Sequence, residues 1–183
     1  FFHPEDGIRD PLWSRGLGDV YKRQNQVSLE EFDELFAKES KLAGHEIRGK
    51  EVISMLSGDL RPKMVELLKL CKEQYKVACI TNNVKAGRGP GMSSNDDKAS
   101  KVSKVMALFD DVIESSVEGI RKPDPEIYKL ACHRISVEPE KCLFIDDLGI
   151  NLKPAKELGM KTIKVLSEAQ ALKDICLITK INL

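Results

Sequence analysis

Apolar residues keep no regular spacing in the first 24 positions, FFHPEDGIRDPLWSRGLGDVYKRQ, and an ordered pattern starts only at Val27. Leu29, Phe32, Leu35, Phe36 and Leu42 recur at the three-and-four spacing of one helix face. Ser28 stands three residues before Glu31, as in a capping box, so a helix is predicted from Ser28 to about Ala43. Gly44 and Gly49 bracket a break. Val52, Ile53, Met55 and Leu56 then suggest a short second helix closed by Gly58, and Pro62 opens a third with Met64, Val65, Leu67, Leu68 and Cys71 along one side.

At Lys76 the pattern changes. Val77 to Ile80 is an unbroken apolar run that ends in Thr81, Asn82 and Asn83, the signature of a strand buried on both faces. Residues 85–98 (KAGRGPGMSSNDDK) read as a loop. A helix over Ala99 to Leu108, a strand over Asp111 to Glu114 and a helix from Glu126 to His133 follow. Leu143 to Ile145 form a third strand ending in Asp146 and Asp147. A helix from Asn151 to Leu158 stops at Gly159, a strand covers Thr162 to Val165, and a last helix covers Glu168 to Leu177. Strands alternating with helices imply an α/β fold, a parallel sheet between two helical layers, with the ligand site beyond the carboxyl ends of the strands. The polar clusters at 81–82 and 146–147 fall there.

Composition narrows the function classes. Hydrophobic residues make up 42% and charged residues 32%, ordinary for a globular protein, and 29 basic residues balance 29 acidic ones. A chain without net positive charge lacks the basic surface that a nucleic-acid partner requires. No apolar run is long enough for a membrane span, and the amino terminus lacks the pattern of a signal peptide, so no membrane is expected and a cytoplasmic location is the default. The five cysteines form no Cys-x-x-Cys pair and sit mostly in apolar surroundings, which suggests free thiols in a reducing compartment. Residues 1–24 resemble translated sequencing-adapter DNA and are set aside from functional reasoning, Trp13 included. His3, His45 and His133 show no metal-ligand spacing.

Three groups of residues carry candidate chemistry. Asp146 and Asp147 place two carboxylates side by side after an apolar strand, and a cation would relieve their repulsion; oxygen ligands at such a loop suit magnesium. The alternative is a pair of loop carboxylates capping the helix near Asn151. Thr81 and Asn82 offer a hydroxyl and backbone N–H groups that can hold phosphate oxygens, although Thr-Asn-Asn is also a common turn. Lys122 lies in Arg121-Lys122-Pro123-Asp124-Pro125, where two prolines restrict the backbone; it could neutralise a phosphate or simply be a solvated surface lysine.

The segments VACITNN, GIRKPDPEIYKL, CLFIDDLGINLKPAKELGM and KTIKV, in this order between about Leu60 and Val165, resemble the second, third and fourth motifs and the following strand of the haloacid-dehalogenase-like hydrolases. The helices before them look like a small helical cap. The wording is similar to the phosphatase-like N-terminal domains of soluble epoxide hydrolase and of some acyl-CoA dehydrogenase family members. The resemblance implies a three-layer Rossmann-like core over 59–183 and a partial cap over 25–58. It also implies Mg2+ as cofactor and a small phosphorylated or other anionic molecule as partner. Thr81 matches the hydroxyl that bonds the transferring group, Asn82 the residue whose backbone supports it, and Lys122 the lysine that orders nucleophile and substrate charge. Asp147 matches the direct metal ligand, Asp146 its carboxylate neighbour acting through a metal-bound water, and Asn151 a polar residue supporting the pair. The family's first motif, Asp-x-Asp at the end of the first and central strand, has no counterpart: no Asp-x-Asp occurs anywhere in the chain. The expectation is therefore an incomplete core whose first, nucleophile-bearing strand is missing, inactive as written, from a phosphatase parent. A non-enzymatic scaffold or a carbon–halogen hydrolase are the alternatives.

Overall fold

In a computed structural model of the chain, residues 29–55, 59–83 and 96–183 are described. The expected Ser28 cap, the Gly58 stop, most of the 85–98 loop and the segment 1–24 lie outside them. The chain divides into two compact units, 1–56 and 57–183.

The first unit shows α1 (Leu29–Leu42) and α2 (Gly49–Met55). The buried stripe of α1 is Phe32, Asp33 and Ala37, while Leu35 and Leu42 of the expected apolar face are exposed. An aspartate replaces apolar residues in that stripe because it caps the next helix. Asp33 Oδ1 accepts the Lys50 N–H at 2.9 Å, in the first turn of α2. Its other oxygen pairs with Arg48. Gly49 lets the helices approach this closely: a Cβ there would lie 2.8 Å from the Phe32 ring and 2.9 Å from the Asp33 backbone.

The second unit runs α3 (Pro62–Gln74), β1 (Ala78–Thr81), α4 (Asp96–Met106), β2 (Asp111–Glu114), α5 (Ser115–Glu118), α6 (Pro125–Ile135), β3 (Leu143–Asp146), α7 (Gly149–Glu157), β4 (Lys161–Lys164) and α8 (Glu168–Thr179). The four strands among the described residues pair in parallel, β1 with β2 and β3 with β4; Thr81 stands opposite Glu114 and Asp146 opposite Lys164. Among the described residues no strand-to-strand hydrogen bonds join the two pairs.

Side chains join them instead. One face of the strands packs with α6 and α7 in a core built on Ile113, Ile127, Tyr128 and Ala155, reached by Ile80 from β1 and Phe144 from β3. The opposite face packs with α3 and α8 around Leu67, Ile163 and Ile175, reached by Leu143 and Ile145. Successive β3 residues therefore serve opposite faces, as strand geometry requires. The result is the expected α/β architecture of parallel strands between two helical layers. The predicted elements from β1 to α8 are all present, with ends displaced by at most three residues and the strand Asp111–Glu114 matched at both ends. Two short elements were not anticipated, α5 and a 3-10 turn at Pro139–Lys141, each within a single turn and too brief to show a period.

Candidate active site

β1 and β3 end at Thr81 and Asp146, and Lys122 touches the chain at both places. Its main chain belongs to the β1 side: the Lys122 N–H donates to Asn82 Oδ1, and Asn82 Nδ2 donates back to the Lys122 carbonyl, both at 2.9 Å. Its ammonium belongs to the β3 side, donating to Asp146 Oδ2 at 2.7 Å and lying 5.8 Å from the centre of the Phe144 ring. The lysine side chain is only 14% exposed and that of Asp146 4%. Reciprocal pairing with an amide side chain fixes the peptide from which the lysine projects.

The local sequence explains how the loop arrives there. Gly119 closes α5 in the left-handed region (φ 74°), a conformation costly for residues with a Cβ. Asp124 caps α6 by accepting the Glu126 N–H at 3.0 Å, and Pro125 takes the first helical position, where no N–H is needed. The Lys122–Pro123 peptide is cis. Between the glycine that ends one helix and the aspartate that starts the next, few conformations remain for Lys122.

Asp146 is held from three directions. Oδ1 accepts the Leu148 N–H at 2.8 Å and Asn151 Nδ2 at 3.0 Å, while Oδ2 faces Lys122. Burial works to raise its pKa, but the Lys122 ammonium, the Leu148 N–H and the Asn151 amide together outweigh burial and keep the carboxyl below its usual value. Asn151 is itself buried, and its carbonyl accepts the Tyr128 hydroxyl at 2.8 Å. Tyr128 packs edge-on against Phe144, ring centres 5.1 Å apart; burial, then the charge of Asp146, push its phenol above the usual range.

The expected site residues fall into two groups. Lys122, Asn82, Asp146 and Asn151 are joined by direct hydrogen bonds. Thr81 ends β1 half-buried, one residue before the Asn82 clamp, and Asp147 is exposed and engaged by no side chain among the described residues. Asn82 takes part through its side chain, where the expectation concerned its backbone. Among the described residues no group of three or more His, Cys, Asp or Glu side chains converges as a metal site would.

Sequence reasoning missed a polar knot beside this site. Asn83 is buried; its N–H donates to Ser115 Oγ at 3.0 Å, its Oδ1 accepts the Ser116 N–H at 3.2 Å, and its Nδ2 donates to Glu114 at 2.5 Å. The knot ties the turn after β1 to the end of β2 and so sets where Asn82 begins. Serines opening a short helix right after an apolar strand were the available signal, but they resemble any turn.

The carboxyl ends of the parallel strands β1 and β3 thus carry a buried ammonium, that of Lys122, and the hydroxyl of Thr81. The haloacid dehalogenase-like hydrolase family matches residues 6–159, and the chain belongs to that family. Among individual relatives it is similar to acyl-CoA dehydrogenase family member 10 of Mus musculus, 32% identical over 158 residues, 83% of this chain and 14% of that protein. It is also similar to bifunctional epoxide hydrolase 2 of Sus scrofa, 34% identical over 128 residues, 67% of this chain and 21% of that protein. A shorter match, 41% identical over 60 residues, links it to glyceraldehyde 3-phosphate phosphatase of Methanocaldococcus jannaschii, covering 32% of this chain and 26% of that enzyme. The chain thus spans about a fifth or less of the first two proteins.

Proposed function

We infer that the chain carries the phosphate-handling side of a magnesium-dependent phosphatase acting on a small phosphate ester. The observation that supports this best is the Lys122–Asp146 pair, 2.7 Å apart, because it fixes a cation at the carboxyl ends of the strands and anchors it to Asn82 as well. The similarity to a glyceraldehyde 3-phosphate phosphatase of Methanocaldococcus jannaschii points the same way.

In this reading the Lys122 ammonium and the Thr81 hydroxyl bind oxygens of the transferring group, with the main chain at Asn82 beside them. Charge-assisted donors of this kind are most effective where charge grows in the transition state. Asn151 keeps the Asp146 carboxylate turned toward Lys122.

The donor set fits a hard divalent cation in kind. Asp146 Oδ2 accepts one hydrogen bond and retains a lone pair, and the Asp147 carboxylate is open to solvent. Magnesium characteristically takes one or two carboxylates and keeps its waters. Held there, it would supply positive charge against phosphoryl oxygens.

The residue that attacks phosphorus is absent from this account. In the parent it is the first carboxylate of Asp-x-Asp, forming an aspartyl-phosphate that water then cleaves; the chain contains no Asp-x-Asp, and we expect it to be inactive and to bind magnesium weakly. The test compares this chain with one preceded by a four- or five-residue apolar strand ending in Asp-x-Asp, assayed on p-nitrophenyl phosphate with magnesium. Phosphate release by the extended protein alone is expected. Release by the unextended chain would overturn the inactivity; halide release from a 2-haloacid without phosphate release would select the dehalogenase reading; no product from either substrate would select the scaffold.

A further inference from the structure

We propose that Cys132 and Cys142 form a latent cross-link site, a thiol pair that a small disulfide oxidant converts to an intramolecular disulfide tying the two strand pairs together. The sulfurs lie 3.8 Å apart. A disulfide requires about 2.05 Å, so the bond needs under 2 Å of approach, within reach of side-chain rotation and slight backbone adjustment. Cys132 is buried on α6 and Cys142 is half-buried one residue before β3.

The two residues border one core cluster but stand on elements of different strand pairs. α6 packs against β1 and β2. Cys142 already sits in the other ladder, its carbonyl accepting the Lys161 N–H at 3.0 Å at the start of β4. A bond between the sulfurs would covalently join two strand pairs that, among the described residues, share side-chain contacts but no strand-to-strand hydrogen bonds. It would also close a short loop, Cys132 to Cys142, that leaves the Lys122 site outside.

Hydrogen bonding orients the pair. The Cys142 thiol donates to the Glu138 carbonyl at 3.4 Å, which leaves its sulfur facing the Cys132 S–H as acceptor. Burial raises both thiols, Cys132 to about 12, so neither is a ready nucleophile at neutral pH, and reaction depends on proximity. The chemistry balances with oxidised glutathione. The Cys142 thiolate attacks one glutathione sulfur and expels a glutathione thiolate. Cys132 then loses its proton and attacks the Cys142 sulfur of the mixed disulfide, releasing the second glutathione; two protein thiols are oxidised and one glutathione disulfide is reduced.

The experiment treats the whole chain with oxidised glutathione at mildly alkaline pH, followed by intact mass and non-reduced peptide mapping. The expected result is loss of two hydrogens, a Cys132–Cys142 linked peptide, and a raised melting temperature reversed by dithiothreitol. Cys142→Ser and Cys132→Ala should each abolish the linkage, and both retain the small side-chain size that lets the core pack. A glutathione adduct that persists on Cys142, a linkage between Cys71 and Cys176 in its place, or no reaction under conditions that oxidise the unfolded chain would each overturn the proposal.

Discussion

Two buried aspartates in this protein are built almost alike and serve different ends. Asp33 and Asp146 each accept a backbone N–H and a cationic side chain, and each is held below the usual carboxyl range. The difference lies in the cation. Arg48 and Lys50 beside Asp33 have side chains 49% and 54% exposed, whereas Lys122 beside Asp146 is 14% exposed. The first pair finishes a helix start and leaves its charges in water. The second withdraws a lysine from water, pins its backbone, and stands beside an exposed second carboxylate at the end of a strand. A buried ion pair is thus no marker of a site by itself; the site reading proposed for the second pair rests on its desolvated cation at a strand terminus, anchored from two elements.

The sharpest way to break this contrast is to remove each carboxylate. Asp146→Ala strands a buried ammonium, and losing one partner of such a pair costs about 3–5 kcal/mol, to be read from urea unfolding midpoints. A loss no larger than that of Asp33→Ala would dissolve the distinction. Asp33 should show itself in acid instead. Its Lys50 N–H bond and, after burial's opposing effect, Arg48 keep the folded carboxyl below 3.8. The unfolded chain therefore binds the proton first, so Asp33 contributes stability above that pH and loses it as pH falls through the lower folded value. Asp33→Asn should flatten the acid side of a melting-temperature profile between pH 5 and 2, roughly the range over which such a group titrates. Smallest of all, Asp147→Asn should change unfolding stability by less than about 0.5 kcal/mol, as exposed substitutions do. If the site reading holds, it should also remove whatever weak magnesium-induced rise in melting temperature the parent chain shows.

Much of this was legible beforehand for identifiable reasons. The apolar runs at 77–80 and 143–145 announced strands, since continuous hydrophobicity is what a doubly covered strand demands. Asn82 and Asp146 could be picked out because they directly follow such runs, Lys122 because two prolines restrict the backbone around it, and Asn151 only through the family resemblance. The direction of bonding was not legible: Asn82 as a two-way clamp on the Lys122 peptide joins residues 40 apart in sequence, and no local pattern encodes that. The α1 face was misjudged for a related reason. Helical spacing favoured Leu35 and Leu42, but the capping of α2 drew Asp33 inward, a tertiary demand that periodicity does not register.

The clamp on Lys122 has a consequence for how this residue could meet an anion. A free lysine side chain gives up about 2 kcal/mol of rotamer entropy when it is immobilised. Here the peptide is locked by an amide on one side and the ammonium is parked on a carboxylate on the other, so that freedom is already gone when the chain has folded. An incoming oxyanion would find the charge standing still, and replacing the lysine with arginine would keep the Asn82 clamp on the peptide but set a planar fork against a carboxylate whose Oδ1 is already taken by the Leu148 N–H and the Asn151 amide.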